Sequence, residues 1–72
     1  MKDFIAAFVE IFDEKPTIEI TPETKFKDIP GWDSLVALSL IVMISNHYRK
    51  SIDGEIVRSK NTIRDLYEAV NE

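Results

Sequence analysis

Apolar side chains recur at helical spacing over the start of the chain. A period near 3.6 residues is typical of an amphipathic helix that turns one face towards a core. Because a proline disfavours helical backbone in the residue before it, Pro16 sets an outer limit to this segment. We therefore predict a first helix over about residues 2 to 13, built on Phe4, Ile5, Phe8, Val9, Ile11 and Phe12.

Residues 17 to 30 show no such period, and prolines lie at or near both ends of this segment. Thr21 followed by Pro22 has the form of a helix start, so a short helical turn is expected there. The remainder is predicted to be a long ordered loop, held in place by its few apolar side chains, which are Ile18, Ile20, Phe26 and Ile29.

Residues 34 to about 48 carry two apolar stripes at helical spacing. The first stripe consists of Ala37, Ile41, Ile44 and Tyr48, and the second consists of Leu35, Leu38 and Val42. One stripe can face the core, and we expect Ile41 to lie there. The other stripe either packs on a second side of a small bundle or forms a contact surface for a partner.

Two further helices are predicted after this central one. Residues 55 to 58 can form one or two turns, and Thr62 with Asp65 has the form of a capping box, with Asp in place of the usual Glu. The fold class is therefore all-α, a small bundle of three main helices plus one short helix, with a long loop between the first and second helices. We expect residues 1–72 to form a single domain.

Composition excludes several classes of function. Thirteen acidic and nine basic residues give a net charge of −4, which disfavours binding to a nucleic-acid backbone. The chain has no cysteine, so any sulfur chemistry must be supplied from outside. It also shows no signal peptide and no apolar run of the ~20 residues that a membrane span needs, so a cytoplasmic protein without membrane contact is expected.

An internal active site is not expected either. The only histidine, His47, is predicted to share the central helix with Ser34. Thirteen residues at about 1.5 Å each place the two side chains roughly 20 Å apart, whereas proton transfer needs about 3 Å. His47 is expected at the helix end, packed on the core or facing water, and no carboxylates stand at a metal-binding spacing. We therefore predict neither catalytic residues nor a metal site.

The sequence G-W-D-S-L, from Gly31 to Leu35, stands directly before the apolar central helix. Asp33 and Ser34 are both favoured helix caps, but capping accounts for only one of them. The longer run FKDIPGWDSL resembles the prosthetic-group site of acyl carrier proteins. The order of predicted elements resembles that family over essentially the whole chain, including the entry to the last helix through NTIRDL.

The resemblance implies that Ser34 carries 4′-phosphopantetheine, attached from coenzyme A by a phosphopantetheinyl transferase with a magnesium ion. The thiol of this cofactor would carry acyl groups as thioesters, in agreement with the missing cysteine. Gly31 would allow a tight turn, Asp33 matches the family's aspartate, and Leu35 matches its partner-facing leucine. The implied function is an acyl carrier serving acyl-transferring, condensing or ligating enzymes of fatty-acid, polyketide or related biosynthesis.

The chain departs from well-known fatty-acid carriers at several customary acidic positions, which here hold Val36, Ser39, Ser45, Asn46 and Arg58. We therefore expect partners that recognise shape and apolar side chains, through Leu35, Val36 and Val42. Trp32 is either a cover over the core or a further partner contact. These features favour a stand-alone carrier for a specialised pathway, and we expect it to be a monomer. The span from Met1 to Glu72 is likewise taken to indicate a free-standing protein.

Three alternatives stay open. An aminoacyl or peptidyl carrier would use the same cofactor chemistry with another cargo. An unmodified helical interaction module would use the second apolar stripe without any change at Ser34. The net charge argues against a helix-turn-helix DNA binder, and so does the central helix, which has no lysine or arginine before Arg49.

Overall fold

The computed structural model describes residues 1–71 and contains four α-helices joined by ordered loops. The helices are α1 (Lys2–Glu10), α2 (Ser34–Tyr48), α3 (Gly54–Ser59) and α4 (Ile63–Val70), and a single 3₁₀ turn lies at Phe26–Asp28. No strand occurs within the described residues, so the predicted all-α class is confirmed. The expected domain end at Glu72 lies outside the described residues.

Helix α1 ends three residues earlier than its apolar pattern predicted. The amide of Ile11 donates to the carbonyl of Phe8 at 3.2 Å, and that of Phe12 donates to Val9 at 3.4 Å. These i to i−3 bonds tighten the end of the helix into a 3₁₀-like turn, as is common at helix termini. Phe12 consequently remains on the apolar side although the α-helix has ended, and it is buried.

One core joins the helices and the long loop. Its side chains are entirely apolar, and no polar or charged residue of the described chain is buried. Burial of apolar surface is therefore the main source of stability in this protein, which has no disulfide. The core consists of Phe4, Phe8, Phe12, Phe26, Ile29, Val36, Leu40, Met43, Ile44, Ile52, Val57, Ile63, Leu66 and Val70.

The face of α2 that enters this core differs from the prediction. The buried residues of the helix are Val36, Leu40, Met43 and Ile44, whereas Ala37, Ile41 and Tyr48 are only half-buried at its flank. The first stripe therefore lies at the edge of the core, where Ile41 and Tyr48 pack against it, and only Ile44 is fully buried. The apolar periodicity could not show which face of α2 is buried, because this helix is apolar on almost every side.

The second stripe of α2 faces solvent. Leu35 is 72 % exposed, Leu38 59 % and Val42 55 %. Val36 was expected to contact partners, but it is only 9 % exposed and packs in the core, which corrects that expectation. An apolar ridge made of Leu35, Leu38 and Val42 thus remains on the surface of the central helix.

The long loop is held by backbone hydrogen bonds to the start of α4. Ile63 donates to the carbonyl of Thr24 at 3.0 Å, Arg64 donates to Pro22 at 2.8 Å, and the amide of Phe26 donates to Asn61 at 3.2 Å. These bonds make the loop an ordered layer, as predicted, and they seat Phe26 in the core.

Two details of the loop differ from the prediction. Ile18 is 45 % exposed and does not anchor the segment. Thr21 to Thr24 forms a turn rather than a helix, closed by a 3.0 Å bond from the amide of Thr24 to the carbonyl of Thr21. The only helical turn of the loop is the 3₁₀ turn that begins at Phe26.

Both short C-terminal helices begin at residues that cap them. Helix α3 starts after Asp53, whose carboxylate accepts from the amide of Ile56 at 3.0 Å. Helix α4 has the predicted capping box, in which Thr62 Oγ1 accepts from the amide of Asp65. In return, Asp65 Oδ2 accepts from the amides of Asn61 and Thr62, both at 3.1 Å, and these bonds hold the pKa of the Asp65 carboxyl below its ordinary value.

Candidate functional site

The chain enters α2 through a tight turn at Gly31. This glycine has φ +96°, a backbone conformation that side chains with a Cβ rarely adopt. The turn is closed by the amide of Trp32, which donates to the carbonyl of Ile29 at 3.0 Å. The predicted role of Gly31 in a tight turn is therefore confirmed.

Trp32 covers one end of the core. Its ring stacks on Phe8 with centroids 6.4 Å apart and meets Phe26 edge-on at 5.1 Å. A third contact, at 6.4 Å, joins it to Phe12. Of the two roles left open for this residue, the structure supports the cover over the core, because the half-buried indole is packed among three phenylalanines.

Asp33 and Ser34 have separate positions at the start of the helix. Asp33 is the N-cap, and its Oδ1 accepts from the amide of Val36 at 2.9 Å. Ser34 is the first residue of α2, it is exposed, and its hydroxyl makes no hydrogen bond to any residue from 1 to 71. Capping is therefore performed by Asp33, and the Ser34 hydroxyl has no structural task within this part of the chain.

Two grooves flank the start of α2, and Ser34 lines one of them. The first lies between α2 and α3, has a volume of about 650 Å³, and is lined by Lys27, Trp32, Asp33, Ser34, Ala37, Leu38, Ile41, Gly54, Val57 and Arg58. The second, of about 580 Å³, lies between the end of α1 and α2, and Gly31, Asp33, Leu35 and Ser39 contribute to its wall. The exposed Ser34 thus lines an open, partly apolar groove between α2 and α3, which is called the Ser34 groove below.

The groove between α2 and α3 carries few charges. Asp33 provides the only carboxylate in the Ser34 groove, whereas Lys27 and Arg58 provide two cations. Sequence reasoning missed Lys27, because nothing in the irregular loop indicated which way its side chain would face. Arg58 had been noted only as the replacement of an acidic residue.

The described residues offer no catalytic or metal-binding arrangement. His47 is exposed in the last turn of α2, at the opposite end from Ser34. No group of three or more potential metal ligands occurs among residues 1–71. Over the same range, no helix is long and apolar enough to cross a membrane.

Comparison with known proteins agrees with this geometry. The family model described as "Phosphopantetheine attachment site" matches residues 2–70. The fold is similar to the solution NMR structure of a holo acyl carrier protein from Geobacter metallireducens, with a TM-score of 0.73 and 31 % sequence identity. The alignment covers 99 % of this chain and 84 % of that protein. No match was found among curated proteins.

The family match extends over nearly the whole chain, and so does the structural match. Members of the family are carriers without catalytic activity of their own. They hold 4′-phosphopantetheine covalently and work with phosphopantetheinyl transferases and biosynthetic enzymes. This chain therefore belongs to the acyl carrier protein family of phosphopantetheine-bearing carriers.

Proposed function

We propose that Ser34 is the residue that carries 4′-phosphopantetheine, and that the loaded protein presents acyl groups to enzymes of fatty-acid, polyketide or related biosynthesis. The observation that carries this proposal is the free, exposed hydroxyl of Ser34 beside a helix cap supplied entirely by Asp33. A serine needed only for capping would bond an amide of the first turn, and Ser34 does not.

The position of Ser34 suits a phosphodiester. It is the first residue of a fifteen-residue helix, and the amino end of a helix favours an anion through the dipole and its free amide groups. Asp33 already satisfies the amide of Val36, so the first turn stays formed before any modification. The attachment site is thus rigid while its hydroxyl remains accessible.

Within residues 1–71, no base is hydrogen-bonded to the Ser34 hydroxyl. The neighbouring Asp33 has one oxygen engaged in the cap, and His47 lies at the far end of α2. We therefore expect the base that removes the hydroxyl proton to come from the transferase. Once attached, the cofactor supplies the thiol that this cysteine-free chain lacks.

The test is the intact mass after incubation with coenzyme A and a broad-specificity transferase. We expect the mass to rise by one phosphopantetheine in the parent and in Ser39→Ala, and to stay unchanged in Ser34→Ala. Ser39 is the matched control because it is also an exposed serine on α2. An unmodified parent that is well folded by circular dichroism would contradict the proposal, and so would modification of Ser34→Ala.

We further propose that partner enzymes dock on the exposed apolar ridge of Leu35, Leu38 and Val42. Helix α2 has no acidic residue, so electrostatic docking along it is weak. A ridge with three large apolar side chains more than half exposed offers contact area instead. This arrangement supports a specialised carrier rather than one that serves fatty-acid synthesis in general.

Docking is tested with holo-protein and a purified partner enzyme at increasing salt. We expect affinity to change little with ionic strength, because exposed charges are screened beyond about 8 to 10 Å and apolar contacts are not. Leu35→Ala and Val42→Ala should weaken binding more than Asp33→Asn. A steep salt dependence together with unaffected apolar variants would place the contact surface elsewhere.

A further inference from the structure

We propose that the groove between α2 and α3 binds an anionic group carried on the cofactor arm, through Lys27 and Arg58. The inference rests on the proposed attachment at Ser34 and adds a binding site for what the arm bears. The shared ligand chemistry is a singly charged oxyanion. It can be the carboxylate at the far end of a dicarboxylic acyl group or the phosphodiester of the arm itself.

The groove starts at the attachment residue and continues along α2. Ser34, Ala37 and Ile41 form one wall at helical spacing, and Gly54 and Val57 of α3 form the other. Ser34 and Ile41 are seven residues apart, or roughly 10 Å along the helix. A flexible arm that folds back into this groove meets a mostly apolar floor.

Lys27 is held at the edge of this floor. Its Nζ donates a hydrogen bond to the carbonyl oxygen of Arg58, near the end of α3. The same ammonium lies 5.6 Å from the ring centroid of Phe26. The loop cation is therefore tied to α3, which brings it to the groove that α3 borders.

The Arg58 side chain runs back along α3 and covers Gly54. A Cβ added at Gly54 would lie only 3.2 Å from a terminal nitrogen of the guanidinium. Glycine thus leaves room for the guanidinium on this face of the helix, and Arg58 lines the groove. Within residues 1–71 the guanidinium forms no ion pair, so its hydrogen-bond donors are available to a ligand.

The charge of the groove has the opposite sign to that of the protein. Two cationic side chains and one carboxylate, that of Asp33, line the groove, and the Asp33 carboxylate already accepts a hydrogen bond from a helix amide. The whole chain, in contrast, has a net charge of −4. A guanidinium binds carboxylate or phosphate oxygens through paired, charge-assisted hydrogen bonds. An apolar floor bordered by cations matches an acyl chain that ends in a carboxylate.

The experiment compares cargoes of equal length that differ in charge. A broad-specificity transferase loads the protein from coenzyme A, butyryl-coenzyme A or succinyl-coenzyme A, and intact mass confirms each form. Thermal unfolding is then measured for the apo, holo, butyryl and succinyl forms. The same series is made for Lys27→Gln, Arg58→Gln and Arg64→Gln. Arg64 is the matched control, because it lies outside the groove and pairs with Glu23.

We expect the succinyl form to unfold about 2 to 5 °C above the butyryl form at low salt. This difference should vanish in Lys27→Gln and Arg58→Gln, persist in Arg64→Gln, and shrink at high salt. In NMR spectra, the Nε–H resonance of Arg58 should shift with the succinyl arm and not with the butyryl arm. These results would support the site and identify a cargo carboxylate as its ligand.

Three other outcomes would each decide one of these claims. A shift between apo and holo forms that depends on Lys27 and Arg58, with no difference between succinyl and butyryl, would support the site with the phosphodiester as its ligand. Equal stability and unchanged Arg58 resonances across all loaded forms would overturn the inference. Absence of any mass increment would instead overturn attachment at Ser34, and this inference with it.

Discussion

Replacement of Trp32 by alanine tests whether this residue supports the core or contacts partners. The indole is half-buried and packs on Phe8, Phe12 and Phe26, with centroid distances between 5.1 and 6.4 Å. Aromatic pairs contribute about 0.5 to 1.5 kcal/mol each beyond their buried area, and truncation of a fully buried aromatic costs about 3 to 5 kcal/mol. Because Trp32 is partly exposed, we expect Trp32→Ala to lower the free energy of unfolding by about 2 to 4 kcal/mol.

This loss is large for so small a protein. A chain of 72 residues has a total stability of roughly 4 to 11 kcal/mol, at about 0.05 to 0.15 kcal/mol per residue. The variant is therefore expected to unfold at much lower urea concentration, with an unchanged slope if the denatured state is the same. Far-UV circular dichroism is the assay, because the variant lacks the only tryptophan and with it the fluorescence signal.

Leu38→Ala is the control for this experiment. Leu38 is also a large apolar residue near Ser34, but it is 59 % exposed on α2. Its truncation should change stability by no more than about 0.5 kcal/mol. If Trp32→Ala were as stable as Leu38→Ala, the ring contacts would contribute nothing measurable, and Trp32 would have to be assigned to the partner surface instead.

Three further predictions concern the helix ends. In urea unfolding of the apo-protein, Asp33→Ala should lower the free energy of unfolding by about 1 kcal/mol and Ser34→Ala by less than about 0.5 kcal/mol. Equal losses would contradict the assignment of Asp33 as the helix cap and of the Ser34 hydroxyl as unbonded. Arg49 has φ 55°, so Arg49→Gly should raise the free energy of unfolding by about 0.5 to 1 kcal/mol, whereas Arg49→Ala should leave it unchanged, as judged by thermal unfolding. An increase with alanine would argue against backbone strain at this position. The folded-state pKa of the Asp65 carboxyl is lowered, so this group stabilises the fold above its unfolded pKa of 3.8 and loses that effect in acid. The difference in free energy of unfolding between the parent and Asp65→Asn should therefore narrow as the pH falls below 3.8. A difference that stays constant with pH would refute this.

Local sequence signals determine much of this protein independently of its tertiary contacts. The capping box at Thr62, the tight turn at Gly31 and the helix start at Ser34 each depend on residues close together in the chain. Their conformations are decided by short-range sterics and hydrogen bonds, so the sequence is sufficient to predict them. The resemblance of FKDIPGWDSL to a carrier site was readable for the same reason, since that motif is contiguous.

The rotation of α2 about its axis was decided only by the tertiary structure. Apolar residues occur around the whole helix, so each possible core face satisfies the same hydrophobic pattern. The choice depends on which face packs against the phenylalanines of α1 and the loop, and this is a matter of shape between distant segments. That packing buries Val36 and Leu40 and leaves Leu35, Leu38 and Val42 on the surface.

The Ser34 groove also required the tertiary structure. Lys27 lies in the 3₁₀ turn of the long loop and Arg58 in a short helix, and they are 31 positions apart in the chain. Docking of the loop on α4 and packing of α3 against α2 bring their side chains to the same wall. The sequence alone determined that four helices form, the capping box of α4 and the attachment motif, because these arise from neighbouring residues. The core face of α2, the cover formed by Trp32 and the cationic groove arise from long-range packing, which no local pattern encodes.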